Sequence, residues 1–532
     1  MSNFRGAWSL AGLVAGVAGI ATSYFAAMAL TIRESPIVAV AEMIIRLTPG
    51  PIAEYLIDIV GQLDKPLLIL GILLALVAIF TWVGRLARER WIAASMAYVL
   101  LSAVGVVAVA TQPGAAAVDV IPVAVGFATW MLVLSLLTDP LRSAAADLPE
   151  AEPDSPEAES DSPGGVEGSE GTESVHLGSQ TRRAFGMRAG LVIAGAGVLT
   201  VFGRVVGRGR RHVEEIRGLL RLEKVTRPAL PAGVALDVKG ITRWVTPNNR
   251  FYRIHTAIVV PAIEPAEWTL RIHGMVEREL TLTYDDLLAR EFTEDWITLS
   301  CVSNDVGGSL IGNAWWSGVR LAPILAEAGV LPGADAVLQT SEDGWNCGTP
   351  LSALTDDRNA MLAVAMNGHA LPIDHGFPVR TIVPGLYGYV SATKWVVDME
   401  VTRFADFSAF WTQRGWSEKG PVKMSSRIDV PRFGEEVQAG TVTFAGVAFE
   451  QHTGISGVEF QVDGGQWRPA ELAKTPHEDT WVQWRGTAEV AAGDHLVRVR
   501  ATNANGEAQI EAVADVLPDG ATGYHSVEFT AG

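Results

Sequence analysis

Cysteine is almost missing from this chain: Cys301 and Cys347 are the only two in 532 residues. Two thiols build no disulfide framework, and the sequence has neither the C-x-x-C-H of a covalently attached haem nor four thiolates for an iron–sulfur cluster. Positive charge is also short. With 41 Lys and Arg against 59 Asp and Glu the net charge is −18, which argues against nucleic acid, whose phosphates require clustered cations. A third absence is local. Ala7 to Ile32, Pro66 to Gly84, Trp91 to Thr111 and Val120 to Thr138 contain no Asp, Glu, Lys, Arg or His. Each run is close to the roughly 20 residues that a helix needs to cross a bilayer. They also lift the mean hydropathy of the whole chain to +0.23. Lacking histidine, these runs cannot ligate a haem b, and lacking charge they offer no proton or ion path. Anchoring in membrane lipid is the function left to them.

Basic residues set the expected orientation. Arg5 precedes the first run, Arg85, Arg88 and Arg90 separate the second from the third, and Arg142 follows the fourth. These positions share one side if the N-terminus is cytoplasmic. On the outer side, IVAVAEMIIRL and PIAEYLIDIV carry apolar faces at helical spacing and predict two interfacial helices. Between Arg142 and Arg182 there are ten Asp or Glu and no Lys or Arg, and the segment is read as a linker over 141–180. This Pro, Gly, Ser and acid mixture predicts a disordered cytoplasmic tether. Thr181-Arg182-Arg183-Ala184-Phe185 then precedes a short glycine-rich apolar run. It resembles a twin-arginine export signal set in mid-chain, with Gly186 and Met187 in place of the usual Leu and Lys. That signal implies a bacterial cell-membrane protein whose later residues lie outside the membrane with a cofactor already inserted.

The expected organisation is multi-domain: four transmembrane helices over 1–140, the acidic linker over 141–180, a signal-anchor helix over 181–207, an α+β domain over 225–420 and an all-β Ig-like sandwich over 421–532. The last is read from alternating strands and turns at Asp463-Gly464-Gly465 and Asn505-Gly506. In the α+β part, Trp296-Ile297-Thr298-Leu299 reads as a strand that delivers Cys301 to a Ser/Asn/Asp/Gly loop. A thiol there is either a small core residue or a ligand or nucleophile. Cys347, in DGWNCGTP, reads as core, and His273, in RIHGMVE, as a strand histidine.

Five segments carry a resemblance. They are NNRFYRIHTAIVVP (248–261), WTLRIHGMVE (268–277), LSCVSNDVGGSLIGNAWWSGVRL (299–321), SEDGW (341–345) and MNGHALPIDHGFPVRTIVPGLYGYVSATKW (366–395). In order and spacing they are similar to the sulfite oxidase family of molybdopterin-dependent oxidoreductases. The resemblance implies a molybdenum centre with one pterin dithiolene, and Cys301 as the sole protein ligand to the metal. A soft metal of this kind suits a thiolate. It also implies that Arg380 and Lys394 hold the pterin phosphate, with His375 and His255 beside them. Asn249, Phe251 and Tyr252 would hold the pterin, Asp343 would meet its N–H edge, and Arg253 would face the substrate. The family's C-terminal domain dimerises, which implies a homodimer.

The sequence departs from that pattern where the substrate sits. Sulfite-oxidising members carry paired arginines after the Cys loop, whereas this chain has Asp305-Val306-Gly307-Gly308. The tyrosine expected after W-x-x-R is replaced near Trp416. A sulfite anion would lose its charged partners, so the expectation is oxygen-atom transfer on a less charged substrate. Electrons would pass to or from an external partner, either a cytochrome or a quinone-linked protein. The rival reading is a non-catalytic surface adhesion module on the same scaffold, against which Cys301, Arg380 and Lys394 count.

Overall fold

A computed structural model describes residues 5–30, 32, 35–49, 52, 64–112, 115–146, 185–200 and 209–532. The described chain forms two compact units, Met1–Arg210 and Arg211–Gly532.

In the first unit four helices are long and apolar enough to cross a membrane: Gly6–Ala29, Asp64–Glu89, Trp91–Ala110 and Ala117–Arg142. The second runs past its apolar stretch through Arg85 and Arg88, because charges at a helix end meet water without breaking the helix. Leu70, Leu74, Trp82, Ile92, Met96 and Leu100 point outward and are exposed. Such an apolar exterior suits lipid. Inside, the first and second helices touch along glycine. A Cβ on Gly12 would run into the Phe80 carbonyl oxygen and one on Gly84 into that of Trp8, the close backbone approach that drives helix association in lipid. Trp130 donates its indole N–H to the Gly16 carbonyl at 3.1 Å and stacks on Tyr98 at 5.3 Å between ring centres.

Pro36–Leu47 is a helix where the first of the two interfacial helices is expected, opened by proline at its first turn. The second, PIAEYLIDIV, lies outside the described residues apart from Ile52. The acidic linker beyond Ala146, the paired arginines and residues 201–208 lie outside them too. The apolar run after the arginines is a helix, Phe185–Thr200, shorter than the four crossings.

The second unit is α+β followed by β. One five-stranded sheet has the order Leu280–Thr283, Thr269–Gly274, Val396–Thr402, Ala336–Ser341, Asn346–Pro350. Only its Thr269–Gly274 and Val396–Thr402 pair is parallel. The other carries the site. Thr293–Ser300 pairs antiparallel with Ile311–Arg320, which pairs with Met361–Met366, and that strand also takes Arg380–Ile382. Trp296 to Ser300 are buried on both faces, so this strand reads as a continuous apolar run rather than an alternating one.

From Ser425 the chain builds a sandwich of a four-stranded and a five-stranded sheet. Phe444, Phe460, Trp484, Val497, Val499 and Phe529 fill the space between them. The sandwich buttresses the strand that leads to Cys301. Thr298 donates its N–H to the Asp479 carbonyl and accepts from the Trp481 N–H, each at 2.9 Å. Trp244 and Trp481 each donate an indole N–H to the other's carbonyl, at 3.2 and 2.9 Å.

Candidate active site

Cys301 sits one residue beyond the last rung of a ladder. Ser300 pairs with Ile311, and the Cys301 N–H closes on the Leu310 carbonyl at 2.9 Å. The loop that follows is held by Asn304. Its N–H reaches the Cys301 carbonyl at 3.2 Å, and its side-chain oxygen accepts the Leu310 N–H at 2.7 Å. Arg427 from the sandwich donates to the Gly308 carbonyl at 2.7 Å. Gly307 has φ +78° and faces the His525 ring so closely that a Cβ would collide with it. The thiol is only 7% exposed. Burial pushes its pKa up, while the Ser303 N–H and hydroxyl, Lys394 and the Val302 N–H act to lower it. A thiolate formed here therefore has donors and a cation waiting for it.

On one side of Cys301 lies a buried cationic cradle. Arg380, 4% exposed, donates to the carbonyls of His375 and Ala392, each at 3.2 Å. Among the described residues it forms no ion pair with a carboxylate. Burial pushes its pKa down to about 10, an unusual cost for a guanidinium. Lys394 bridges to Arg380 through the backbone and donates its ammonium to the Ile254 carbonyl at 3.0 Å. His375 is 2% exposed. Its Nε2 meets the Asn248 carbonyl at 3.0 Å, so that nitrogen carries the proton, and its Nδ1 is buried with no hydrogen-bond partner. Burial first, then Lys394 and Arg380, push its pKa down to about 3. Phe251 packs edge-on against His375 at 5.8 Å and stacks on Tyr252 at 5.2 Å. Tyr252 is near enough to feel both Cys301 and Arg380, and burial pushes its pKa up.

This donor set fits the group that the family pattern implies. Two buried cations suit a phosphate, a bare imidazole nitrogen suits an N–H edge, and a buried thiol suits a soft metal.

The remaining expected residues divide. His255 packs edge-on against Trp395, next to Lys394, at 5.8 Å. Asp343 caps its own turn by accepting the Trp345 N–H at 3.2 Å, and that turn pairs with Trp395 through the Glu342 N–H at 2.8 Å. Asn249 is exposed; its neighbour Asn248 makes the contacts, to His375, Met366 and Asn367. Arg253 lies on the His375 side, half-exposed and ion-paired to Asp374 at 2.9 Å. Of the two residues assigned to structure, Cys347 is fully buried against the Thr393 hydroxyl and His273 pairs with Asp398 at 3.0 Å.

On the other side of the Cys301 loop a cleft opens toward the sandwich. Ser300, Asn304, Asp305, Val306, Tyr387 and Lys423 line it, among others. Tyr387 escaped the sequence reading. It is buried, accepts the Lys423 N–H at 3.2 Å, and Cys301 is among the groups that act on it, with burial pushing its pKa up to about 12. Only its place in VPGLYGY, seven residues before Lys394, hinted at it. Trp416, near where the family pattern expects a tyrosine, is buried against Tyr389. Both cations of the cleft already hold carboxylates: Lys423 pairs with Asp519 at 2.6 Å and Arg427 with Asp429 at 2.8 Å.

The His375 shift has a sign that can be checked. The folded state holds this imidazole neutral with its pKa at about 3, below its ordinary 6.5. The unfolded chain therefore binds more protons between those values, and stability falls as pH drops through that window. From pH 7 to pH 5 the loss from this group is about 2 kcal/mol. His525, held at about 4 by burial and Arg427, adds to it in the same direction. Urea titrations at the two pH values should show a smaller acid loss in His375→Gln than in the parent chain. An equal loss contradicts the assignment.

Residues 257–411 match the family model described as an oxidoreductase molybdopterin binding domain. The chain is 30% identical to sulfite oxidase of Gallus gallus over 326 residues, 52% of this chain and 70% of that one. It is 32% identical to the uncharacterized oxidoreductase YuiH of Bacillus subtilis over 188 residues, 35% of this chain and 91% of that one. With mitochondrial sulfite oxidase of Homo sapiens the identity is 29% over 48% of this chain, and the match spans only 55% of the human protein.

Proposed function

This chain belongs to the sulfite oxidase family of molybdopterin oxidoreductases, and from that premise we propose a bacterial, membrane-anchored oxidoreductase that exchanges one oxygen atom for two electrons on a substrate without anionic charge. The observation that carries the proposal is the setting of Cys301, between a cradle whose buried guanidinium, Arg380, has no carboxylate partner among the described residues and a cleft whose own cations are neutralised. The bound molybdenum–pterin group would supply the two-electron oxygen-atom chemistry. Cys301 holds the metal. Arg380 and Lys394 bind the phosphate end, and His375 offers its bare Nδ1 to an N–H. Tyr252 and Phe251 wall the cradle, His255 and the Asp343 turn close it near Lys394, and Asn249 lies at its open edge. Arg253 flanks the substrate approach, its charge spent on Asp374.

The cleft sets the preference. Asp305 and Val306 line the wall, and Lys423 and Arg427 each carry a carboxylate of their own, so an incoming dianion gains no uncompensated cation and meets Asp305. A neutral sulfur or nitrogen oxide has no such conflict. The anchored placement follows the four apolar helices and the arginine bias of the loops between them, with the N-terminus and acidic linker cytoplasmic and the catalytic unit outside. Electrons pass to or from an external redox protein, cytochrome or quinone-linked, and a homodimer forms through the sandwich.

Steady-state assays of the full chain in detergent decide the substrate class. With a dye as electron donor or acceptor, kcat/KM for a neutral sulfoxide or N-oxide should exceed that for sulfite oxidation by at least about tenfold, roughly 1.4 kcal/mol. A preference for sulfite overturns the reading.

A further inference from the structure

A second constellation of ligand-type side chains lies apart from the cofactor cradle, where the sandwich meets the α+β domain. His452 follows the Gly440–Phe449 strand, and Glu478 and Asp479 precede Val482–Val490. One ligand atom from each lies within 4.8 Å of the other two. Asp479 is 7% exposed. Its Oδ1 and the His452 Nδ1 are both buried with no hydrogen-bond partner, although they lie 3.5 Å apart.

That separation is informative. A histidinium in a direct pair with a carboxylate closes to about 2.7–2.9 Å and forms a hydrogen bond. Two ligands on one tetrahedral cation, with bonds of about 2.1 Å, stand about 3.4 Å apart and do not bond each other. The neighbouring groups are already occupied. His477 is held by Asp295 at 2.8 Å and Asp356 by Arg358 at 2.8 Å. His477 also acts on Asp479, but its Nε2 is taken by Asp295 and its Nδ1 meets the Asp479 backbone N–H at 3.2 Å, so it leaves Asp479 Oδ1 without a hydrogen bond; burial pushes the Asp479 pKa up.

We propose that His452, Glu478 and Asp479 bind a divalent cation of the zinc class. One imidazole and two carboxylates make a borderline donor set that suits it, and Glu478 keeps an exposed entry side. The ion would clamp the 450–454 turn to the loop whose backbone supports Thr298, three residues before Cys301. The site stands independently of the reaction proposed above.

The test uses untagged full-length holoprotein in detergent, stripped with EDTA and titrated with zinc. Calorimetry should show one site per chain, and the melting temperature should rise and saturate with zinc. Glu478→Gln, at an exposed position, should weaken binding on the order of 10- to 100-fold or more, as should His452→Asn. Cys301→Ser should leave binding unchanged, which separates this site from the molybdenum ligand. Two results would overturn the proposal. One is no zinc-dependent heat or melting shift in the parent chain, leaving a plain ion pair. The other is undiminished binding in Glu478→Gln.

Discussion

Cys301→Ser loses turnover on the order of 10³-fold or more, at least about 4 kcal/mol of transition-state stabilisation, while the chain keeps its fold. A serine hydroxyl is nearly isosteric with the thiol but stays protonated and hard, and a soft metal centre binds it poorly. The cost to folding is small by comparison. The Ser303 hydroxyl and the Ser303 and Val302 N–H groups are already turned toward position 301. A buried hydroxyl with such partners costs about 1–2 kcal/mol at most. Cys347→Ser is the control. That thiol is buried against Thr393, and burial pushes its pKa up to about 11, so it has no thiolate chemistry to lose. Activity that falls equally in both variants means that the two cysteines only fill space.

Arg380→Met separates cofactor binding from folding. The guanidinium is fully buried, has no carboxylate partner among the described residues, and spends its donors on main-chain carbonyls. In the apoprotein its charge is a burden, so an apolar side chain of similar length costs little, and the melting temperature should move by a few degrees at most. In the holoprotein the same charge meets the phosphate end of the pterin. Its loss should weaken cofactor retention on the order of 100-fold, about 2.7 kcal/mol. Arg380→Lys keeps the charge but not the planar fork and should fall between the two. Pterin released on denaturation, measured by fluorescence against protein concentration, gives the readout. Full retention in Arg380→Met contradicts the cradle.

Much of this was legible in the chain itself, for reasons that differ by element. The four apolar runs needed no tertiary information, because lipid acts on every residue of a crossing helix. Cys301 at a strand end followed from the apolar run before it and the turn residues after it. Arg380, Lys394 and His375 were found through a motif, and burial without a carboxylate is a fact of the fold that no motif carries. What stayed hidden depends on long-range pairing. The Arg253–Asp374 and Lys423–Asp519 pairs join segments with no local signal between them. Tyr387 was missed for the same reason. Its hydroxyl reaches the cleft only because Lys423, from the start of the sandwich, folds back onto it. Asn248 and Asn249 are adjacent and look alike in sequence, and only the turn geometry decides that the Asn248 carbonyl meets His375.

X-ray absorption at the molybdenum edge, on purified full-length protein from a cofactor-competent host, tests the central claim most directly. The account predicts near-stoichiometric molybdenum and a sulfur coordination number that falls by one in Cys301→Ser. No molybdenum in the parent protein, or an unchanged sulfur count in the variant, would contradict it.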